Sequence, residues 1–353
     1  MCGFCGWIDW KRNLESESVV IKSMTDSLAL RGPDESGIFL SSQAAMGHRR
    51  LVVIDPAGGR QPMRRTRGGR TCSIVYNGEL YNTEELRHLL QERGWQFQSR
   101  NSDTEALLLA YMEWGVECLP KLNGIFSFAV WDHEDQSLFM ARDRLGVKPL
   151  FYSEREGALV FASEIKALLE NPLIKPLIDE SGFAELMVLG PSRTPGVGIF
   201  RGINELRPGW RLLYTRSGLK TAPYWTLASH PHHQDLHTTI ENVRYLLVDA
   251  VVRQTRADVP VASFLSGGLD SSAITAMAIT ALESQGLAPI RTFSVDYEHN
   301  QDYFKKNKYQ QDADFMWVEA AARSLGSRHR SIILNNDRLA NALDDAVIAN
   351  DYP

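Results

Sequence analysis

Met1-Cys2-Gly3-Phe4-Cys5-Gly6-Trp7-Ile8-Asp9 opens the chain, and its second residue decides how the rest is read. Initiator methionine is commonly removed when the next side chain is small, which would leave Cys2 first in the chain with both a thiol and a free α-amine. Such an amine has an ordinary pKa of about 7.7–8.0, far below that of a lysine. It can act as general base for its own thiol, directly or through a water, so no histidine partner is needed. Gly3 leaves room for a substrate to approach the sulfur. Cys2-Gly3-Phe4-Cys5 also matches the C-x-x-C spacing of redox and zinc motifs, which follow a strand and open a helix. Here Gly6-Trp7-Ile8-Asp9 continues as a strand, and Cys5 reads as a small buried hydrophobe. Taken alone, the opening triplet also reads as an incidental cysteine.

Working outward, short apolar runs rich in β-formers recur at 6–9, 51–54, 72–76, 126–131, 137–141, 150–152 and 159–162, each bounded by turn residues. Two helical patterns, 83–93 and 104–114, carry apolar residues at three- and four-residue spacing. Thr83-Glu84-Glu85-Leu86 adds a helix-start signal. The expectation is an α+β sandwich of antiparallel sheets flanked by helices. Composition changes at Pro223-Tyr224-Trp225, and His230, His232, His233 and His237 crowd the stretch that follows. Zinc sites need spaced ligands held by framing structure, so this stretch reads as a polar linker, not a metal site.

Beyond the linker the pattern alternates: helix 239–253, strand 259–265, helix 269–283, strand 290–295, helix 315–325, strand 330–334, helix 337–349. Strands alternating with helices imply an α/β doubly wound parallel sheet. Three strands are few for such a sheet, so it is expected to be incomplete, the chain being part of a longer protein.

Over its 353 residues the chain is 44% hydrophobic and 23% charged, ordinary values for a globular protein. A net charge of -5 argues against a dedicated nucleic-acid binder. The one basic run, Arg64-Arg65-Thr66-Arg67-Gly68-Gly69-Arg70, contains turn glycines and reads as a solvated turn. No apolar stretch approaches the ~18 residues of a membrane span, and the start lacks the basic and apolar regions of a signal peptide. Four cysteines in a chain this long make no disulfide framework. No membrane partner and a cytoplasmic location are the expectations.

The company of Cys2 gives it meaning. Arg31-Gly32-Pro33-Asp34, His48-Arg49-Arg50-Leu51 and Gln61-Pro62-Met63 come first. Tyr76-Asn77-Gly78-Glu79-Leu80-Tyr81-Asn82, Ser102-Asp103-Thr104-Glu105, Phe126-Ser127-Phe128-Ala129 and Ala141-Arg142-Asp143-Arg144-Leu145-Gly146-Val147-Lys148-Pro149-Leu150 follow. In this order the set resembles the class II glutamine amidotransferase domain, an N-terminal-nucleophile (Ntn) fold, over about the first 210 residues. The resemblance implies that Cys2 attacks the side-chain amide of glutamine. It implies an oxyanion hole from the Asn77 side chain and the Gly78 N–H, of the kind a tetrahedral intermediate needs. Arg50, followed by Leu51, Val52, Val53 and Ile54, matches the glutamine-binding segment, and a guanidinium can clamp a carboxylate with two parallel bonds. Asp103 matches the group that holds the ammonium, and Glu79 a further substrate contact. Each has a plainer reading by itself: Asn77-Gly78 as a hairpin turn, Arg50 as a surface ion pair, Asp103 as a helix cap. Arg49 alternates to the face opposite Arg50.

Phe264-Leu265-Ser266-Gly267-Gly268-Leu269-Asp270-Ser271-Ser272 follows a strand and opens a helix, where small residues and the helix N-terminus can wrap an anion. No lysine follows, so it is not the common nucleotide-triphosphatase loop. It is similar to the SGGxDS pyrophosphate loop of N-type ATP pyrophosphatases, of the adenine nucleotide alpha-hydrolase-like class. That resemblance implies ATP as co-substrate, held by Leu265, Ser266, Gly267, Gly268, Asp270, Ser271 and Ser272. Mg2+ would accompany the phosphates, with Asp270 a magnesium or pyrophosphate contact. Val295 ends the next strand, where ligands of doubly wound sheets sit near the switch point, and is assigned to the nucleotide; a buried core valine is the alternative.

Together the parts resemble the glutamine-hydrolysing asparagine synthetase family. The domains expected are a type-2 glutamine amidotransferase at 1–222, a linker at 223–236, and the first part of an ATP pyrophosphatase domain at 237–353. The implied ligase frees ammonia from glutamine at Cys2, adenylates aspartate with ATP, and joins the two as asparagine. Glutamine, aspartate and ATP are the expected partners, and a homodimer is left open. Alternatives are a relative that amidates another carboxylate (a peptide, antibiotic or sugar acid) or a non-catalytic glutamine or nucleotide sensor. Later motifs of the family are absent, so this length of chain is expected to hydrolyse glutamine without making asparagine.

Overall fold

The computed structural model describes residues 1–190, 192–286, 289–305, 308 and 314–351. They form two compact units, Met1–Ser229 and His230–Asn350.

In the first unit two six-stranded sheets are packed face to face. One contains β1 (Gly3–Asp9), β2 (Glu35–Leu40), β3 (Ala44–Arg50), β8 (Phe151–Arg155), β9 (Ala158–Ala162) and β10 (Asn204–Glu205), in the order β10-β8-β9-β1-β3-β2. The other contains β4 (Met63–Arg67), β5 (Arg70–Leu80), β6 (Gly124–Asp132), β7 (Ser137–Arg142), β11 (Trp210–Thr215) and β12 (Gly218–Pro223), in the order β12-β11-β7-β6-β5-β4. Every pairing in both is antiparallel. Helices α1 (Ser18–Asp26) and α4 (Ile165–Leu169) cover the first sheet; α2 (Thr83–Glu92) and α3 (Asp103–Trp114) cover the second. A fifth helix, α5 (Glu180–Leu189), stands largely exposed.

Alternation along the strands builds three cores at once, because neighbouring side chains point to opposite faces. From β1, Phe4 and Ile8 enter the layer between the sheets, with Met46, Val75, Trp131 and Phe161. Cys5 and Trp7 turn the other way, onto Ile21, Met24 and Leu28. From β5, Ile74 and Tyr76 meet Leu86, Leu107 and Leu108 on the helices. This is the antiparallel sandwich expected, and its strands are buried on both faces, which is why so few show clean polar–apolar alternation.

Two readings from the sequence are corrected. The run 51–54 is not a strand: it follows β3 as an irregular loop. Asn77-Gly78 is not a hairpin turn but sits well inside β5. The expectations also missed β2, β3, β4, β10, β11 and β12, and the helices α1, α4 and α5. Among these β4 reads Met63-Arg64-Arg65-Thr66-Arg67, an edge strand whose polar outer residues carry no apolar signal.

In the second unit β13 (Ala262–Phe264), β14 (Arg291–Tyr297) and β15 (Arg328–Leu334) form a parallel sheet in that order. Helix α6 (Leu236–Gln254) precedes them, α7 (Leu269–Ser284), α8 (Asn300–Tyr303) and α9 (Asp314–Ser324) intervene, and α10 (Asn336–Asn341) and α11 (Leu343–Asn350) follow. The single helix expected at 337–349 is therefore two, and the strand expected at 259–265 has three residues. The strand order runs one way, so no switch point lies among these three strands. Among the described residues no helix is long and apolar enough to cross a membrane.

Candidate active site

Cys2 stands immediately before β1, two residues from Phe4, and the strand period aligns it with the layer between the sheets. On β5 the same period carries Val75 to Asn77 and Glu79. On β3 it carries Met46 to His48 and Arg50, and sends Arg49 outward, where Nη1 lies 3.9 Å from Asp26 of α1. Three strands thus deliver their functional side chains to one end of the sandwich.

A cavity of about 610 Å³, open to solvent, brings together Cys2, Asn77, Gly78, Glu79, Asp103 and Arg50, with Leu51, Val53 and Ile54 at its rim. Val52 is not part of this lining; its N–H donates to Asp34 Oδ2 at 2.8 Å. Gln61, Tyr76, Thr104 and Lys148 also line the cavity. They were within reach of sequence reading only as members of the motif strings, with no role attached.

The Cys2 thiol lies 3.7 Å from the Leu51 carbonyl oxygen. Burial pushes its pKa up, against the pull of that hydrogen bond and of nearby positive charge, so the sulfur is held as a thiol. Arg31 Nε donates to the Cys2 carbonyl at 2.9 Å, and its Nη1 pairs with Glu164 at 2.7 Å. His48 is pulled down to about 4 by burial and is neutral at ordinary pH. Its Nε2 lies 3.0 Å from the Tyr76 carbonyl, which can only accept, so the proton sits on Nε2. No histidine is among the described residues that line the cavity with Cys2.

Asn77 is 1% exposed, and its Nδ2 has no hydrogen-bond partner among the described residues. A buried amide donor without a partner is unusual and marks a place where something else accepts. Opposite Gly78 on β6 stands Phe126, whose N–H donates to Asp143 Oδ2 at 3.2 Å and whose carbonyl accepts the Asp143 N–H at 2.7 Å. Opposed residues of an antiparallel ladder either exchange both bonds or neither. Gly78 therefore turns its N–H away from β6, toward the edge that β4 leaves open. A Cβ on Gly78 would come within 2.4 Å of the Ile125 carbonyl oxygen, so only glycine fits.

Asp103 begins α3, and the cap is Ser102, whose hydroxyl accepts the Glu105 N–H. Its Oδ2 accepts from Tyr76 Oη at 2.9 Å and from Leu80 N–H at 3.3 Å, and its Oδ1 from Thr104 N–H at 2.7 Å. Burial raises its pKa, and these donors restrain the rise. Burial likewise raises Glu79, with the positive charge of Lys148 opposing. Lys148, 6% exposed, is lowered by burial and supported by Glu79.

Arg50 differs from expectation. Nη1 donates to Glu35 Oε2 at 2.8 Å and to the Pro56 carbonyl at 2.9 Å; Nη2 donates to the carbonyls of Ile54 and Asp55 at 3.0 and 2.8 Å. Both terminal nitrogens are fully engaged, so the two-bond fork read from the sequence is already closed on the chain itself. It folds the stretch after β3 back on itself, which is why 51–54 is a loop.

In the second unit, Leu265 is buried and donates its N–H to Phe293 at 2.8 Å, extending β13. Ser266 N–H and Oγ meet Ser271 Oγ at 3.1 and 2.9 Å, and Gly268 caps α7 with Asp270 in its first turn. Ser272 N–H closes the turn onto the Gly268 carbonyl at 3.2 Å. Gly267 has φ 77°, and a Cβ there would lie 2.7 Å from Trp317 Cβ. Val295 is 50% exposed, not a core valine, and stands two residues before the end of β14, which runs on to Tyr297 instead of ending at 295 as expected. Among the described residues no group of three metal-ligating side chains occurs, the histidines at 230–237 included.

Comparison with known proteins adds independent findings. A family described as "Glutamine amidotransferase domain" matches residues 1–225, and one described as "Asparagine synthase" matches residues 242–353. Asparagine synthetase [glutamine-hydrolyzing] 3 of Bacillus subtilis is 49% identical over 353 residues, covering 100% of this chain and 57% of the relative. A protein of Methanocaldococcus jannaschii, provisionally named asparagine synthetase [glutamine-hydrolyzing] 2, is 31% identical, covering 90% of this chain and 68% of its own. Amidase chry2 of Gibberella zeae is 32% identical, covering 87% and 47%. The chain thus spans little more than half the length of the first of these relatives.

Proposed function

The chain belongs to the family of glutamine-hydrolysing asparagine synthetases, and on that premise we propose that its first unit hydrolyses glutamine through Cys2 while its second binds ATP. The observation that carries the reading is the meeting of a half-buried thiol, the unpartnered Asn77 amide nitrogen and the open edge at Gly78 in one cavity with Asp103, Glu79 and Arg50.

After removal of Met1, the Cys2 amine takes the thiol proton as sulfur attacks the carboxamide carbon. Asn77 Nδ2 and Gly78 N–H receive the oxyanion, where preorganised donors contribute most in a water-poor site. The carbon–nitrogen bond breaks, the ammonium returns its proton to the leaving nitrogen, and ammonia departs. Water then releases glutamate from the thioester. Asp103 and Glu79 hold the substrate ammonium. Arg50 supplies positive charge at the carboxylate end and keeps the 51–54 rim in shape.

In the second unit the loop from Ser266 to Ser272 takes the pyrophosphate portion of ATP. Asp270, a single carboxylate beside hydroxyls and a helix N-terminus, suits magnesium carried on phosphate oxygens, which would neutralise phosphate charge there. Aspartate is the proposed acceptor, giving asparagine.

The test is glutamate release by the chain and by Cys2→Ala, with mass spectrometry of the N-terminus. Release that depends on Cys2 and on loss of Met1 is expected. Release by Cys2→Ala, or full activity with Met1 attached, overturns the scheme.

A further inference from the structure

Strands β4 and β5 pair from Arg67↔Arg70 back to Met63↔Ile74. The same register, continued by two residues, sets Gln61 opposite Tyr76. Main-chain pairing does not reach that point, since β4 begins at Met63 and Pro62 has no N–H to offer. The Gln61 side chain stands in for the missing strand. Its Oε1 accepts the Tyr76 N–H at 2.6 Å, and its Nε2 donates to the Tyr76 carbonyl at 3.2 Å. His48 Nε2, from β3 of the facing sheet, donates to the same carbonyl at 3.0 Å. Gln61 Nε2 also lies 3.3 Å from Thr104 Oγ1, beside Asp103.

The consequence lies two residues along. Tyr76 and Gly78 turn their N–H groups to the same edge of β5, because ladder bonding repeats every second residue. Had β4 run on with its own backbone, it would have covered that edge at Gly78 as well. A side-chain amide satisfies Tyr76 and goes no further, so the Gly78 N–H stays open to the cavity. We propose that Gln61, assisted by His48, is a positioning residue of the oxyanion hole. It ends the sheet edge at Tyr76 and holds the Tyr76–Asn77 peptide so that the Asn77 amide and the Gly78 N–H converge on one point.

The assignment rests on the glutaminase reading of Cys2, and one set of measurements separates the two. Gln61→Leu keeps the size and removes both hydrogen bonds. The expected result is a fall in kcat for glutamine hydrolysis of about 10- to 100-fold, toward the loss seen when one oxyanion donor is removed. KM is expected to stay within about twofold, because the contact strengthens only in the transition state. Alkylation of Cys2 by iodoacetamide, which passes through no oxyanion, is expected to proceed at the wild-type rate, and circular dichroism of each variant shows that kcat refers to folded enzyme. Gln61→Glu keeps the acceptor for the Tyr76 N–H but sets a carboxylate against the Tyr76 carbonyl. It is expected to lose kcat as well, and carries the test if the leucine variant misfolds. Unchanged kcat in these variants, or a rise in KM alone, overturns the positioning role while leaving the glutaminase intact. No glutamate release by the wild-type chain, or full release by Cys2→Ala, overturns the glutaminase reading itself.

Discussion

Tyr76 donates its phenolic hydroxyl to Asp103 Oδ2 at 2.9 Å, and both side chains are buried. The bond ties β5, which carries the proposed oxyanion donors, to the first turn of α3, which carries the proposed ammonium-binding carboxylate. Under the proposed function, one hydrogen bond would set the distance between the two ends of the glutamine site.

Tyr76→Phe removes that donor. Burial already raises the Asp103 pKa, and losing the phenol raises it further, since a hydrogen bond to the charged form stabilises it. A carboxyl with a higher pKa is protonated at higher pH, so the acid limb of kcat/KM for glutamine is expected to move upward in pH. A pH–rate profile of the variant against wild type checks this; a limb that moves down or stays in place refutes it.

Asn77→Ala is expected to lower kcat for glutamine about 100- to 1,000-fold, the usual cost of one oxyanion donor, with KM little changed. The Asn77 amide nitrogen has no partner among the described residues to lose, so the variant is expected to fold. Steady-state kinetics with circular dichroism decide between this and a structural role.

Glu105 bears on stability. Its carboxylate is 0% exposed and accepts from the N–H groups of Gln98 and Ser99 at 2.9 and 2.7 Å and from Arg65 Nε at 2.7 Å. Burial alone would raise its pKa, but the donors outweigh it and hold it below the ordinary value. A depressed carboxylate stabilises the fold above its unfolded pKa of about 4.3, and that contribution fades as pH falls through the lower folded value. Glu105→Gln is expected to cost about 3 kcal/mol at pH 7 and less in acid. Urea melts at neutral and acid pH measure the difference, and an equal loss at both would contradict the assignment.

Gly267→Ala places a Cβ at φ 77°, against Trp317 and the Val318 N–H. Left-handed backbone costs a residue with a Cβ about 1 kcal/mol or more, and the contact adds to it. The expected outcome is loss of ATP binding with the glutaminase untouched. Titration with a fluorescent ATP analogue, beside a glutamate-release assay, checks both halves; ATP binding at wild-type strength would show that the loop does not hold the phosphates.

Much of the architecture was legible in the chain. The helices at 83–93 and 104–114 are amphipathic or strongly apolar at helical period, and they appear as α2 and α3 within a residue. The strands at 126–131, 137–141 and 159–162 are apolar enough to stand out, and they form the centre of the sheets. What escaped were β4, charged along an edge, and β3, where Gly47, His48, Arg49 and Arg50 mask a buried strand. The polarity of β4 is that of a sheet edge facing solvent, whereas β3 ends in Arg50, which lines the cavity.

By itself, the order of residues pointed to the candidate nucleophile and the two-part layout, and, through the family resemblance that its motif strings carry, to the candidate oxyanion pair and phosphate loop, because each lies in a short local string. Three matters were decided only in three dimensions. Arg50 closes on its own loop, Gln61 replaces a strand beside Tyr76, and Lys148 sits beside Glu79 in the cavity. Each joins groups far apart in sequence or turns on which of several nearby acceptors a long side chain reaches, and no periodicity encodes that choice.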